Sequence, residues 1–179
     1  PRRARYDDRM QDAPHNAHSG ISAVRRAIGA VVYLLGPFVA GGLGAVVTTS
    51  NIAGWYRALD RPTWTPPDWV FGPVWTALYL CIGVAGWLVA RRGERTLVRL
   101  WWVQFALNAI WSPVFFGLHQ VAVAAVIIVA MWGAIAAFIL SARRRLTAAA
   151  LLFLPYLLWV SYATALTLEV WRRNGAAPD

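Results

Sequence analysis

The chain has 179 residues, of which 59% are hydrophobic, and a mean hydropathy of +0.49; this excludes an ordinary water-soluble domain, whose apolar share is about 45–50%. All 17 basic residues are arginine, against 8 acids, for a net charge of +9. The arginines fall between apolar blocks, as they do at membrane flanks, which argues against nucleic acid as the partner.

Residues 1–22 mix charges with Pro, Asn, His and Gly, and predict a disordered polar tail. Arg25–Arg26 before an apolar block has the look of a signal peptide, but that block is too long for one and is read as a retained span. Five apolar blocks follow, at about 27–47, 70–90, 97–116, 121–140 and 148–171. Each approaches the roughly 20 residues that cross about 30 Å of hydrocarbon. None has arginine or aspartate at its middle, where a charge costs about 2.5–3.5 kcal/mol on insertion scales. Backbone groups in lipid must pair within their own segment, so the blocks are helices. The predicted fold is an all-α membrane protein, with one five-helix transmembrane domain over 23–174 and a short tail at 175–179.

The connections at 91–96, 117–120 and 141–146 are short, whereas the one at 48–69 is long. Thirteen arginines fall with the N-terminal tail and the span 2–3 and 4–5 connections, and four fall on the other side. Positive charge stays in the cytoplasm, so the N-terminus is predicted inside and the C-terminus outside.

Within the spans, Gly36, Ala40 and Gly44 share a face that suits close helix packing, read as an internal contact in preference to a dimer seam. Pro37, Pro73, Pro113 and Pro155 lie in or near span ends, where they can kink helices and leave room inside a bundle. Gln104 and Asn108 are one turn apart and need partners; they are either glue between helices or a polar point in a pocket. Of the 11 tryptophans, 69, 87, 101, 102 and 171 sit near span ends, as interfacial anchors do. Trp75, Trp111, Trp132 and Trp159 lie deeper and call for packing or a ligand. Cys81 stands inside an apolar run and reads as a small buried residue; His15, His18 and His119 are too dispersed for a metal site.

The densest stretch is WYRALDRPTWTPPDWVFGPVWTALY from Trp55; its first 21 residues hold four tryptophans and four prolines. Together with QFALNAIWSPVFFG (104–117) and LPYLLWVSYATALTLEVWRRN (154–174), it resembles the signature of the translocator protein family. That family comprises the bacterial tryptophan-rich sensory proteins and the animal peripheral-type benzodiazepine receptors. The resemblance spans about 27–174 and implies a five-helix bundle, usually dimeric, with a ligand cavity under the span 1–2 loop. It also implies ligands such as porphyrins, haem-like tetrapyrroles, sterols and aromatic drugs. By position it carries over Tyr56, Trp75, Asn108, Trp159 and Ala163. Pro62, Pro66 and Pro67 stiffen the loop, which is expected to hold Tyr56, Trp64 and Trp69 as a lid. The candidate ligand-binding set is therefore Tyr56, Trp64, Trp75, Asn108, Trp111, Trp159 and Ala163.

The expected function is tetrapyrrole binding with a sensory, regulatory or transport role, in the cytoplasmic membrane of a bacterium, with no obligatory cofactor and no metal. The first alternative is light-dependent porphyrin degradation through Trp75 and Trp159, because no acid–base pair or nucleophile is placed for ordinary catalysis. The second is a sterol or lipid carrier. Against it, Leu168 stands where the sterol motif of animal members has tyrosine.

Overall fold

The structure is a computed structural model that describes residues 4–175, with side chains described at 24 and from 26 onward. The chain forms two units, 1–32 and 33–179. The first contains the start of helix α1 (Ala4–Asn51). Its polar stretch, predicted as a disordered tail, carries helical backbone from Ala4, in keeping with favourable helix formers such as Ala4, Arg5, Arg9, Met10 and Gln11. Residues 1–3 of that tail and 176–179 of the C-terminal tail lie outside the described residues.

The second unit holds the rest of α1, then α2 (Phe71–Arg92), α3 (Arg95–Ser112), α4 (Val121–Ala142) and α5 (Thr147–Asn174). Two π-helical turns, Ile52–Tyr56 and Pro113–Gly117, extend α1 and α3. The ends follow from local chemistry. Pro73 stands in the first turn of α2, where its missing N–H costs nothing. Gly93, at φ 67°, closes α2 behind Arg91 and Arg92, whose charges suit a helix C-terminus. His119, at φ 58°, turns the chain between α3 and α4.

Four segments are long and apolar enough to cross a membrane: Arg26–Tyr56, Asp68–Arg92, Val121–Ala142 and Thr147–Asn174. The remaining helix, α3, is the predicted third span. It has 18 helical residues, and Arg95, Arg99, Gln104 and Asn108 dilute its apolarity. Its outward side chains Trp102, Val103 and Ile110 are nonetheless exposed and apolar, and Gln104 is fully buried. That partition suits a helix with lipid on one side and protein on the other.

Neighbouring helices pack as α2·α3, α2·α5, α3·α4 and α4·α5. The core between them includes Ile82, Val89, Trp101, Ile135, Phe138, Phe153, Tyr156 and Val160. Trp101 departs from its predicted place at the interface. It is fully buried, and its Nε1–H donates to the Ile82 carbonyl at 2.9 Å. Gly86 makes room for it: a Cβ there would lie 2.6 Å from the Trp101 ring. Trp132, predicted among the deep tryptophans, is 41% exposed and donates from Nε1 to Ser161 Oγ at 2.8 Å, tying α4 to α5. Cys81 is half-buried.

Two ion pairs sort the connections by end. Arg145 meets Glu94 at 3.1 Å, which joins the α2–α3 and α4–α5 turns. Arg173 meets Asp60 at 3.3 Å, which joins the α1–α2 connection to the end of α5.

Candidate functional site

The two π-helical turns lie side by side and shape one end of the bundle. A π turn takes one residue more than an α turn and so re-aims the side chains that follow. Here Tyr56 and Trp55 swing against Phe115 and Phe116. The Tyr56 ring is 5.3 Å from Phe116 and the Trp55 ring 5.6 Å from Phe115, both edge-on. His119 stacks on Trp55 at 4.2 Å, and its Nε2 is 3.3 Å from Asn51 Oδ1. Arg61 covers the other side of Tyr56, 4.7 Å from the ring centroid.

Below these rings lies a cavity of about 590 Å³, within the 300–1,000 Å³ typical of small-molecule sites. α1 contributes Phe38, Gly41, Gly44 and Thr48, and α2 contributes Trp75 and Tyr79. Asn108 and Trp111 come from α3, Met131 from α4, and Trp159, Ala163 and Thr167 from α5. The walls are aromatic. Trp75 lies 5.3 Å from Tyr79 and 6.3 Å from Tyr156, Trp159 lies 5.8 Å from Phe71, and Trp111 stacks on Phe115 at 5.1 Å. Gly41 stands so close to Tyr79 that any Cβ would overlap the ring.

Most polar groups on this wall are already paired. Thr48 Oγ1 and Ser112 Oγ are 2.6 Å apart, so one donates to the other, and the Gly44 carbonyl lies within reach of both, at 2.9 and 3.1 Å. Thr167 Oγ1 donates to the Ala163 carbonyl at 2.8 Å. Tyr156 O–H donates to Met131 Sδ at 3.3 Å, and Asn108 lies beside that hydroxyl. The Trp111 indole N–H is buried without a partner. Asp68 is the one charged residue among the lining positions, and among the described residues no three His, Cys, Asp or Glu gather as a metal group. The wall is thus mainly aromatic and apolar, with Asp68 as its one charge.

Of the sequence-predicted candidates, Tyr56, Trp75, Asn108, Trp111, Trp159 and Ala163 come together on this wall. Trp64 stands apart from it: its ring packs edge-on against Tyr162 at 5.6 Å, and its carbonyl accepts the Tyr162 hydroxyl at 2.6 Å. Trp64 therefore fastens the connection to α5, while Asp68 and Trp69 reach the cavity from the connection and Phe71 from the start of α2. Gln104 is buried away from it, its Nε2 donating to the Trp101 carbonyl at 2.9 Å. In the small-residue face of α1, Gly44 packs inward, with a Cβ position 3.5 Å from Ser112, while Gly36 has open space around it. Tyr79, Thr48 and Ser112 escaped the sequence reading. Their signal is spacing, since Tyr79 follows Trp75 by one turn and Thr48 follows Gly44 by one turn.

A second latch holds the connection. The Asp60 N–H donates to Asn174 Oδ1 at 3.0 Å, and Asn174 Nδ2 donates back to the Asp60 carbonyl at 3.0 Å. Arg173 braces the same corner and also binds Glu169, at 2.7 Å.

Comparison with known proteins identifies the family. The model of the TspO/MBR family matches residues 33–172. The chain is 37% identical over 140 residues to the tryptophan-rich sensory protein of Cereibacter sphaeroides, covering 76% of this chain and 89% of that one. It is 34% identical over 148 residues to protein CrtK of Rhodobacter capsulatus, covering 80% and 91%. It is 37% identical over 150 residues to the human translocator protein, covering 78% and 89%. The matched region contains two of the four apolar spans whole and most of the other two, together with every residue of the cavity wall, and the chain is an integral membrane protein that belongs to the TspO/MBR family.

Proposed function

We propose that this protein binds a tetrapyrrole, a porphyrin or haem-like ring, in the cavity between α1, α2, α3 and α5, and acts as a sensor, regulator or transporter of that pigment. The observation that carries this reading is the wall itself: a space of about 590 Å³ faced by Trp75, Tyr79, Trp111 and Trp159, with Asn108 as its polar point. A broad flat ring gains from such walls, since each well-set aromatic pair is worth about 0.5–1.5 kcal/mol beyond the area it buries. The names of the relatives, sensory and translocator, support the class of role. In this reading the chain sits in a bacterial cytoplasmic membrane with its arginine-rich end inside.

The test is a titration of the purified chain with protoporphyrin IX, followed by tryptophan fluorescence. The expected result is saturable quenching at micromolar ligand, weakened about tenfold in Trp75→Phe or Trp159→Phe, equivalent to about 1.4 kcal/mol of lost contact. Absence of quenching in the wild type overturns the proposal. Illumination in the same cuvette reports on the porphyrin-degrading alternative: pigment that bleaches faster with wild type than with the Trp75/Trp159 double variant favours turnover over binding alone.

A further inference from the structure

The cavity has buried walls on three sides and a surface on the fourth. Toward α4 and α5 its lining residues Ile128, Met131, Val160 and Val170 are buried, and toward the π turns Tyr56, Phe115 and Phe116 are buried. On the remaining side the lining residues are themselves exposed: Phe38, Gly42, Ala45 and Thr49 on α1, Gly72 and Thr76 on α2, and Asp68 and Trp69 where the connection meets α2. The six helical positions are the lips of a slit between α1 and α2, with Asp68 and Trp69 at its loop end. From Phe38 to Thr49 the α1 lip runs eleven residues, roughly 16 Å at the helical rise.

All six lip residues lie within Arg26–Tyr56 and Asp68–Arg92, two of the segments long and apolar enough to cross a membrane. With those two helices set across a bilayer, the slit opens toward hydrocarbon. The lips also offer no free polar group. Thr49 Oγ1 donates to the Ala45 carbonyl at 2.9 Å, and Thr76 Oγ1 donates to the Gly72 carbonyl at 2.9 Å. An apolar ring that slides past them breaks no hydrogen bond, so no desolvation cost stands in its way. Gly42 and Gly72 border open space, with no atom within 4 Å of where a Cβ would stand.

The water-facing side differs. The proline-stiffened connection is fastened to α5 at two points, by the Tyr162 hydroxyl on the Trp64 carbonyl and by Asn174 on both backbone groups of Asp60. We propose that the ligand reaches the cavity sideways from the bilayer, through the α1–α2 slit, and not from water past the connection. The inference rests on the ligand-binding reading above and narrows its ligand class to flat molecules that dissolve in the membrane and pass edge-on. A porphyrin suits this route, since its carboxylates remain at headgroup level while its ring plane moves between the helices.

The experiment places the full chain in lipid nanodiscs and follows protoporphyrin IX binding by stopped-flow quenching. Gly42→Leu and Gly72→Leu put side chains into open space on the lips, and both residues are helical, so the fold is retained; circular dichroism checks it. Both variants are expected to lower association and dissociation rates together, by about tenfold, while Asn174→Ala, which loosens the connection, leaves both rates within about twofold. In the wild type the observed rate should follow the ligand-to-lipid ratio and not the aqueous concentration. Wild-type rates in both lip variants, or faster binding in Asn174→Ala, overturn the lateral route while leaving the ligand site standing. A wild type that takes up no porphyrin overturns the ligand reading, and the route with it.

Discussion

Gly83 and Gly86 leave bare backbone on α2 where α1 and α3 come closest. A Cβ at Gly83 would stand 2.9 Å from the Tyr33 carbonyl oxygen and 3.2 Å from Leu34 Cα, so backbone, not a movable side chain, is in the way. Gly83→Ala should therefore destabilise the bundle, at about the 1–3 kcal/mol typical of overpacking, and lower the melting midpoint in detergent. Gly42→Ala, with nothing nearby, should leave the midpoint unchanged or raise it slightly. Equal midpoints for wild type and Gly83→Ala would contradict the close approach.

Depth in a span was a legible signal for three of the four tryptophans read as deep; the fourth, Trp132, is 41% exposed. Trp75, Trp111 and Trp159 lie too far from the span ends to be interfacial anchors, and the fold brings all three to one wall. Direction was not legible. Trp101 and Trp102 are adjacent in sequence, yet the first is fully buried and the second is 42% exposed. Only the packing of α3 against α2 decides which of them points inward. Trp64 sits in a loop with no periodicity to orient it, and Tyr162, 98 residues away, captures it.

Among the elements, the helices were readable because apolar runs and their punctuation coincide. Predicted spans at 70–90 and 121–140 became Phe71–Arg92 and Val121–Ala142, bounded by Pro66–Pro67, Gly93 and the His119 turn. The π turns were not readable. One extra residue in five leaves no mark on a hydrophobic pattern, yet these turns aim Tyr56, Phe115 and Phe116 at the cavity. The latch on the connection was equally hidden, because Asn174 and Asp60 are 114 residues apart. Its role can be measured. Asn174→Ala removes the acceptor of the Asp60 amide, and loss of a hydrogen bond worth about 1 kcal/mol should speed hydrogen exchange at that amide about fivefold. Unchanged exchange would mean that the Asn174 hydrogen bond does not hold the connection.

For the molecule as a whole, charge and packing give the same division into two ends. The Glu94–Arg145 pair gathers the α2–α3 and α4–α5 turns, with Arg91, Arg92, Arg95, Arg143 and Arg144 around it. The opposite end carries Arg57, Arg61, Arg172 and Arg173, of which Arg172 and Arg173 are paired with acids. The proposed orientation keeps positive charge in the cytoplasm and so puts the C-terminus outside. A periplasm-active reporter fused after Asp179 should be active, and a cytoplasm-active one silent; the reverse pattern would overturn the orientation.

The claim beneath all of these is that the space between α2 and α5 is a site for a flat pigment. The most direct measurement is a structure of the full chain in nanodiscs with protoporphyrin IX bound. The expected density is a ring lying between Trp75 and Trp159, with Asn108 at its edge. Density for the pigment on the outer surface of the helices, with the cavity collapsed or filled by side chains, would contradict it.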